Sequence, residues 1–139
     1  MAVTMATTFS YSYNADRAKQ IIKITSVWNS GDGVEVGDTD GAALATTGFK
    51  FSGKIIGLGT IPSAVGGKAP DDNYDVAILD SDGHDVLLGA GLNRDTANTE
   101  YVNGTTIGGV ANSTLTFSVT GAGSDNAGTV ILWIDGNVG

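Results

Sequence analysis

The sequence predicts an all-β protein, an antiparallel β-sandwich or jelly roll of about eight short strands. Three observations predict it. Short runs alternate apolar and polar residues with period two, turn signals recur about every ten residues, and no run holds a helical period uncontested. Glycine accounts for 21 of the 139 residues while proline accounts for 2. Glycine at about twice its usual share of ~7%, with so little proline, signals many tight turns.

The N-terminal residues, Met1 to Thr8, are small and polar and read as a loose arm. Phe9, Tyr11 and Tyr13 then alternate with Ser10, Ser12 and Asn14, so residues 1–16 read as an arm or edge strand. Its aromatic side either belongs to an ordinary edge strand or docks on a partner subunit. Residues 17–139 read as a single sandwich domain. Asn14 could cap a helix over Arg17 to Trp28, but the strand template fits better: Ala18, Ile22, Ile24 and Trp28 share one face, and Arg17, Lys19, Lys23 and Thr25 lie opposite with Ile21 and Val27. Trp28 is expected in the core.

Asn29 to Gly41 is an acidic, glycine-rich loop with room for a short strand at Val34 to Val36. Gly48 to Ile61 follows as a long strand with Phe49, Phe51 and Ile55 on one side and Ile56 and Leu58 on the other. Its Gly53, Gly57 and Gly59 predict a bulge or a close backbone approach.

Tyr74 to Leu88 carries the strongest hairpin signal. A two-residue Asp82-Gly83 loop would oppose Asp80 to Asp85, and a four-residue loop would oppose Ile78 to Asp85. The three-residue loop Ser81-Asp82-Gly83 avoids both. It pairs Asp80 with His84, Ile78 with Val86 and Val76 with Leu88, and puts Gly83 in the left-handed region. Tyr74, Val76, Ile78, Val86 and Leu88 then share a core face. Beyond it, Thr99 to Val102 is a short strand and Asn103 to Asn112 a glycine-rich turn. Thr114 to Thr120 turns Leu115, Phe117 and Val119 inward, Gly121 to Gly128 closes a last hairpin, and Thr129 to Ile134 is apolar on both faces. That last strand is either central or covered, through Ile131 and Trp133, by a neighbouring subunit.

Net charge is −8, and residues 1–28 carry Arg17, Lys19 and Lys23 against Asp16, so +2 there leaves −10 for the rest. Such acidity argues against a nucleic-acid partner. No apolar run approaches the ~20 residues of a membrane helix and no signal peptide is evident, so no membrane partner is expected. With no cysteine, neither disulfides nor thiolate metal sites arise. His84, the only histidine, is accounted for by pairing with Asp80. No nucleophile elbow is present, and Gly57-Leu58-Gly59 lacks the rest of a dinucleotide fingerprint, so neither an enzyme nor a cofactor is expected. Asp38/Asp40 and Asp80/Asp82 repeat Asp-x-Asp-Gly, but an EF-hand counted from Asp38 or Asp80 needs glutamate where Phe49 and Gly91 stand. Both are explained as acidic turns, with calcium binding as the alternative that the sequence leaves open.

Taken together, GKIIGLGTIP (53–62), APDDNYDVAILDSDGHDVLLGAGLNRD (69–95) and STLTFSVTGAGSDNAGTVILWI (113–134) resemble small β-rich virion proteins of tailed bacteriophages, of the capsid decoration or cement type. The likeness runs from about Arg17 to Ile134 and leaves the first sixteen residues outside it. It implies a structural protein on the outer surface of the head, a trimer that binds the major capsid protein without catalysis. The expected contact residues are Phe9, Tyr11, Tyr13, Arg17, Lys19 and Lys23, with Ile131 and Trp133 covered in the trimer. The alternative is a phage tail or fibre module that binds host glycan through Trp133 or Tyr11 and Tyr13.

Overall fold

The computed structural model describes residues 4–13, 20–30, 42–43, 50–123 and 125–136, with the backbone alone at 4–13, 20 and 42–43. The period-two runs form strands that pair antiparallel throughout. The larger sheet orders β1 (Thr4–Tyr13), β2 (Gln20–Asn29), β9 (Ala127–Asp135), β4 (Phe51–Pro62) and β6 (Glu100–Asn103), with β7 (Gly109–Ser113) on the same side of β4 as β6. The smaller sheet orders β3 (Ala42–Ala43), β8 (Thr116–Thr120) and β5 (Asp75–Leu79). The fold is an all-β sandwich.

Between the sheets lies one core, because each strand turns alternate residues inward. The larger sheet supplies Ile24, Trp28, Ile55, Leu58, Val130, Leu132 and Ile134, and the smaller supplies Val76, Ile78, Phe117 and Val119. Trp28 joins the layers, its ring centroid 5.7 Å from Tyr74 and 6.4 Å from Phe117. Gly128 makes room for that indole, since a Cβ there would stand 2.8 Å from the ring. β2 follows the strand reading, with Ile24, Ser26 and Trp28 buried and Ile21, Lys23 and Val27 exposed. The alternation of Leu115, Phe117 and Val119 and the central position of β9, between β2 and β4, also match expectation.

The long strand departs from simple alternation at a bulge. Ile55 pairs with Ile134 and Gly57 with Trp133, so Ile56 is the extra residue. Leu58 consequently joins Ile55 in the core instead of lying opposite it. Gly53, at φ 142°, is where another backbone comes close: a Cβ there would lie 2.2 Å from the Asp135 carbonyl oxygen.

The Tyr74–Leu88 hairpin is correct at its tip and wrong beyond it. Asp80 N donates to His84 O at 3.0 Å, Val86 N donates to Ile78 O at 2.8 Å, and Gly83 has φ 85°. The expected Val76–Leu88 pair does not form; Val76 N donates to Gly91 O instead. The Asp85 carboxylate accepts from the amides of Ile78, Leu87 and Gly89, which winds the return chain into a turn. Leu88 is left 67% exposed and Leu87 is buried in its place. Instead, β5 takes β8 as its strand partner, with Ile78 opposite Phe117 and Val76 opposite Val119.

Three further expectations are corrected. Gly121 to Gly128 does not close a hairpin, because β8 lies in the smaller sheet and β9 in the larger. Asn103 to Asn112 is not only a turn: a 3-10 turn at Gly104–Thr106 leads into β7. Residues 4–8 belong to β1, which pairs with β2 from Thr4 to Tyr13. The expected strand at Val34 to Val36, and Phe49, lie outside the described residues.

Candidate functional site

The outward face of the larger sheet holds the most unusual surface of the described residues. Pairing registers align two rows across it, Thr25–Ile131–Gly59–Tyr101 and Lys23–Trp133–Gly57–Asn103. In each row a glycine of β4 sits between an aromatic and its neighbour, and the missing side chain leaves a floor. A Cβ on Gly57 would lie 2.6 Å from the Tyr101 hydroxyl oxygen, and one on Gly59 would lie 3.4 Å from the Trp133 ring. The two rings therefore lean diagonally across the glycines and meet edge to face, centroids 5.7 Å apart and planes at 66°. Such a pair contributes about 0.5–1.5 kcal/mol beyond its buried area.

Two further contacts hold the rings. Tyr101 Oη donates to Ile56 O at 3.3 Å, so the bulge that shifts Leu58 into the core also supplies a carbonyl for the tyrosine. Lys23 Nζ stands 6.0 Å from the Trp133 ring centroid, at the outer range of a cation–π contact. Around this centre Tyr101 is 61% exposed, Val27 52% and Ile21 37%, with Ile131 and Trp133 half-buried. The outward face of a sandwich strand is ordinarily polar, so this apolar and aromatic strip departs from the usual pattern. Asp135, opposite Ile21, shares this face, whereas Asp71, Asp72, Asp75, Asp80, Asp82, Asp85 and Asp95 lie elsewhere, in the smaller sheet and its loops.

Of the residues expected at an interface, Lys23, Ile131 and Trp133 are brought together here. Phe9 stands opposite Ile24, Tyr11 opposite Ile22 and Tyr13 opposite Gln20, register positions of the sheet's other face. Arg17 and Lys19 lie outside the described residues. Tyr101, Ile21, Val27 and the glycine floor were not anticipated as parts of one surface. The available signal was the pair Gly57 and Gly59, which predicted a close approach without saying that an aromatic ring from a short strand would make it.

The acidic tip behaves as a turn. One oxygen of Asp80 accepts from the amides of Asp82 and His84, each at 2.9 Å, and His84 Nδ1 lies 3.8 Å from the other. Asp80, Asp82 and His84 hold potential ligand atoms within 4.8 Å of one another, and the backbone bonds engage one of the two Asp80 oxygens. Asp38 and Asp40 lie outside the described residues. The amides of Ala97 and Asn98, with the Asn98 side chain, hold Asp95 below the usual carboxylate range. The side chains of Lys68 and Asn29 do the same for Asp125. Burial pushes the Tyr74 hydroxyl up to about 12, against a smaller opposing effect of the Thr60 side chain and Arg94.

Fold and surface together define an all-β sandwich whose distinguishing feature is an aromatic strip on the outward face of its larger sheet. No protein-family model, curated protein or solved structure matches this chain.

Proposed function

We propose that this chain is a structural, non-catalytic virion protein of the capsid-decoration type, which binds the major capsid protein on the outside of a phage head. The observation that carries the reading is the Tyr101–Trp133 strip, flanked by Ile21, Val27 and Ile131, on a sheet face that folding alone would leave polar. A large aromatic anchor surrounded by aliphatic groups is the composition of a protein contact centre. The acidic balance of the chain suits the outer side of a shell, away from packaged DNA. The resemblance of residues 53–62, 69–95 and 113–134 to decoration proteins supplies the choice of partner.

Co-sedimentation with empty capsids tests the reading. The parent chain is expected to bind, and Trp133→Ala and Tyr101→Ala to weaken its affinity at least tenfold, the loss of about 1.4 kcal/mol of binding. Full occupancy by both variants would remove this face from the contact.

A glycan-binding tail or fibre module is the second reading, favoured by the exposure of Tyr101. Sugar platforms need ring faces open to the ligand, and the 66° tilt prevents Tyr101 and Trp133 from forming one flat surface. Glycan-array binding by the chain, abolished by Tyr101→Ala, would establish the module and displace the capsid reading.

A further inference from the structure

A sheet edge presents unpaired N–H and C=O groups, so folded proteins shorten it, bend it, charge it or cover it. Most edges among the described residues are treated in one of these ways. On the far side of the larger sheet, β6 has 4 residues and β7 has 5, divided by the 3-10 turn and by a register shift on β4. In the smaller sheet the described part of β3 is Ala42–Ala43. The free side of β5 is covered by the return chain, through Val76 N to Gly91 O, Val86 N to Ile78 O and Arg94 N to Tyr74 O.

β1 is the exception. It ends the order of the larger sheet, runs for 10 residues, and reads TMATTFSYSY, without a charge, a proline or a glycine. Its pairing with β2 continues from Thr4 to Tyr13 without a register shift. A long, regular, uncharged edge of this composition is a template for another strand.

We propose that the edge of β1 pairs antiparallel with the β1 of a second copy of this chain, about a two-fold axis at Phe9. The register follows from the sequence pattern. Opposed residues share a face, so the odd-numbered set Met5, Thr7, Phe9, Tyr11 and Tyr13 stays together only if odd positions oppose odd positions. Of the registers that meet this condition and include every aromatic of the strand, the one centred on Phe9 is the longest: it spans Met5 to Tyr13 and opposes Met5 to Tyr13 and Thr7 to Tyr11. Phe9 opposes its own symmetry mate, an aromatic cross-strand pair. A second copy is the occupant because the strand is complementary to itself and, having no charge, offers nothing specific to a charged foreign strand. The larger sheets of two copies then form one continuous sheet, and the two-fold contact closes after two copies. This arrangement replaces the trimer implied by the resemblance. It rests on the strand edge and not on the capsid reading, so either can fail without the other.

Light scattering of the full chain tests it first. A particle of twice the 14.1 kDa chain mass is expected, and a monomer, a trimer or an open-ended polymer would overturn the proposal. In the proposed register Thr8 of one copy opposes Ser10 of the other, whereas within a copy Ser10 opposes Lys23. The double variant T8D/S10D therefore gains an opposite-charge pair inside each copy and sets aspartates against each other between copies. It is expected to become monomeric while keeping the far-ultraviolet dichroism of the parent; a dimer that persists overturns the interface. The cysteine-free background gives an independent measure of register. Thr8→Cys mixed with Ser10→Cys is expected to form an intermolecular disulfide under mild oxidation, since directly opposed Cα atoms fall within disulfide range. Crosslinking of Thr8→Cys to itself, with none in the mixture, would place the axis elsewhere and refute the Phe9 register.

Discussion

Lys54→Met is the substitution whose consequence follows most directly from geometry. The Lys54 ammonium donates to the carbonyls of Ile55 at 2.9 Å, Gly104 at 2.7 Å and Ile107 at 2.5 Å. These bonds tie the β4 bulge to the 3-10 turn and to the chain entering β7. Methionine keeps the length and apolar stem of lysine and removes the donors. Gly104 O retains the Ile107 amide at 3.1 Å, so it is not left bare. A hydrogen bond to a charged group contributes about 1.5–3 kcal/mol, and three donated by one ammonium are not additive, so the loss is about 2–4 kcal/mol. At about 2–4 °C per kcal/mol for a domain of this size, the melting temperature should fall by about 5–15 °C in a dichroism-monitored scan. Lys54→Arg should not restore it, because a planar guanidinium cannot point its donors at carbonyls arranged around a single ammonium. A Lys54→Met melt within about 1 °C of the parent would show that water replaces the ammonium at no loss and would refute the clamp. The 3-10 turn follows β6 directly, so the same variant should also loosen Tyr101.

Other consequences are as concrete. Gly53→Ala would put a Cβ 2.2 Å from the Asp135 carbonyl oxygen at a φ of 142°, and the variant should fail to give a cooperative thermal transition. Asp85→Ala removes the acceptor of three backbone amides and should lower unfolding free energy in urea by about 2–3 kcal/mol. The Tyr74 hydroxyl, raised to about 12, stays protonated in the folded chain where the unfolded chain begins to ionise near 10. Its contribution is thus complete below pH 10 and is lost as pH rises from 10 through 12, by up to about 2–3 kcal/mol in urea titrations, and Tyr74→Phe should flatten that slope. Trp28 is buried and Trp133 half-buried, so acrylamide should quench one of two emission components, and Trp133→Phe should remove the quenchable one.

Much of the fold was legible in the sequence because period-two alternation states which residues face the core. It placed Ile24 and Trp28, Leu115, Phe117 and Val119, and both faces of β9. It also set the tip of the 74–88 hairpin, where turn chemistry and charge repulsion left one register. What failed had causes that alternation does not record. The carboxylate of Asp85 outcompeted a strand that the pattern of Val86 to Leu88 supported, and a local pattern holds no record of which backbone amides a side chain will capture. The bulge at Ile56 moved Leu58 to the core because β9 imposed its register on β4.

The contact face shows the same division. Composition and alternation identified Lys23, Ile131 and Trp133 as outward residues of two strands far apart in the chain. Only the sheet order β2-β9-β4-β6 laid them beside Gly57, Gly59 and Tyr101, because neighbours in a sheet are chosen by long-range pairing and not by proximity in sequence. The sequence by itself determined an acidic all-β chain with alternating core strands and a glycine-interrupted central strand. The tertiary structure decided that those glycines would carry two aromatic rings on the outside, and that β1 would lie, among the described residues, at an edge with one side paired to β2. The physical reason is that a strand specifies its own two faces through its side chains, while its neighbours follow from which backbones meet when the core closes.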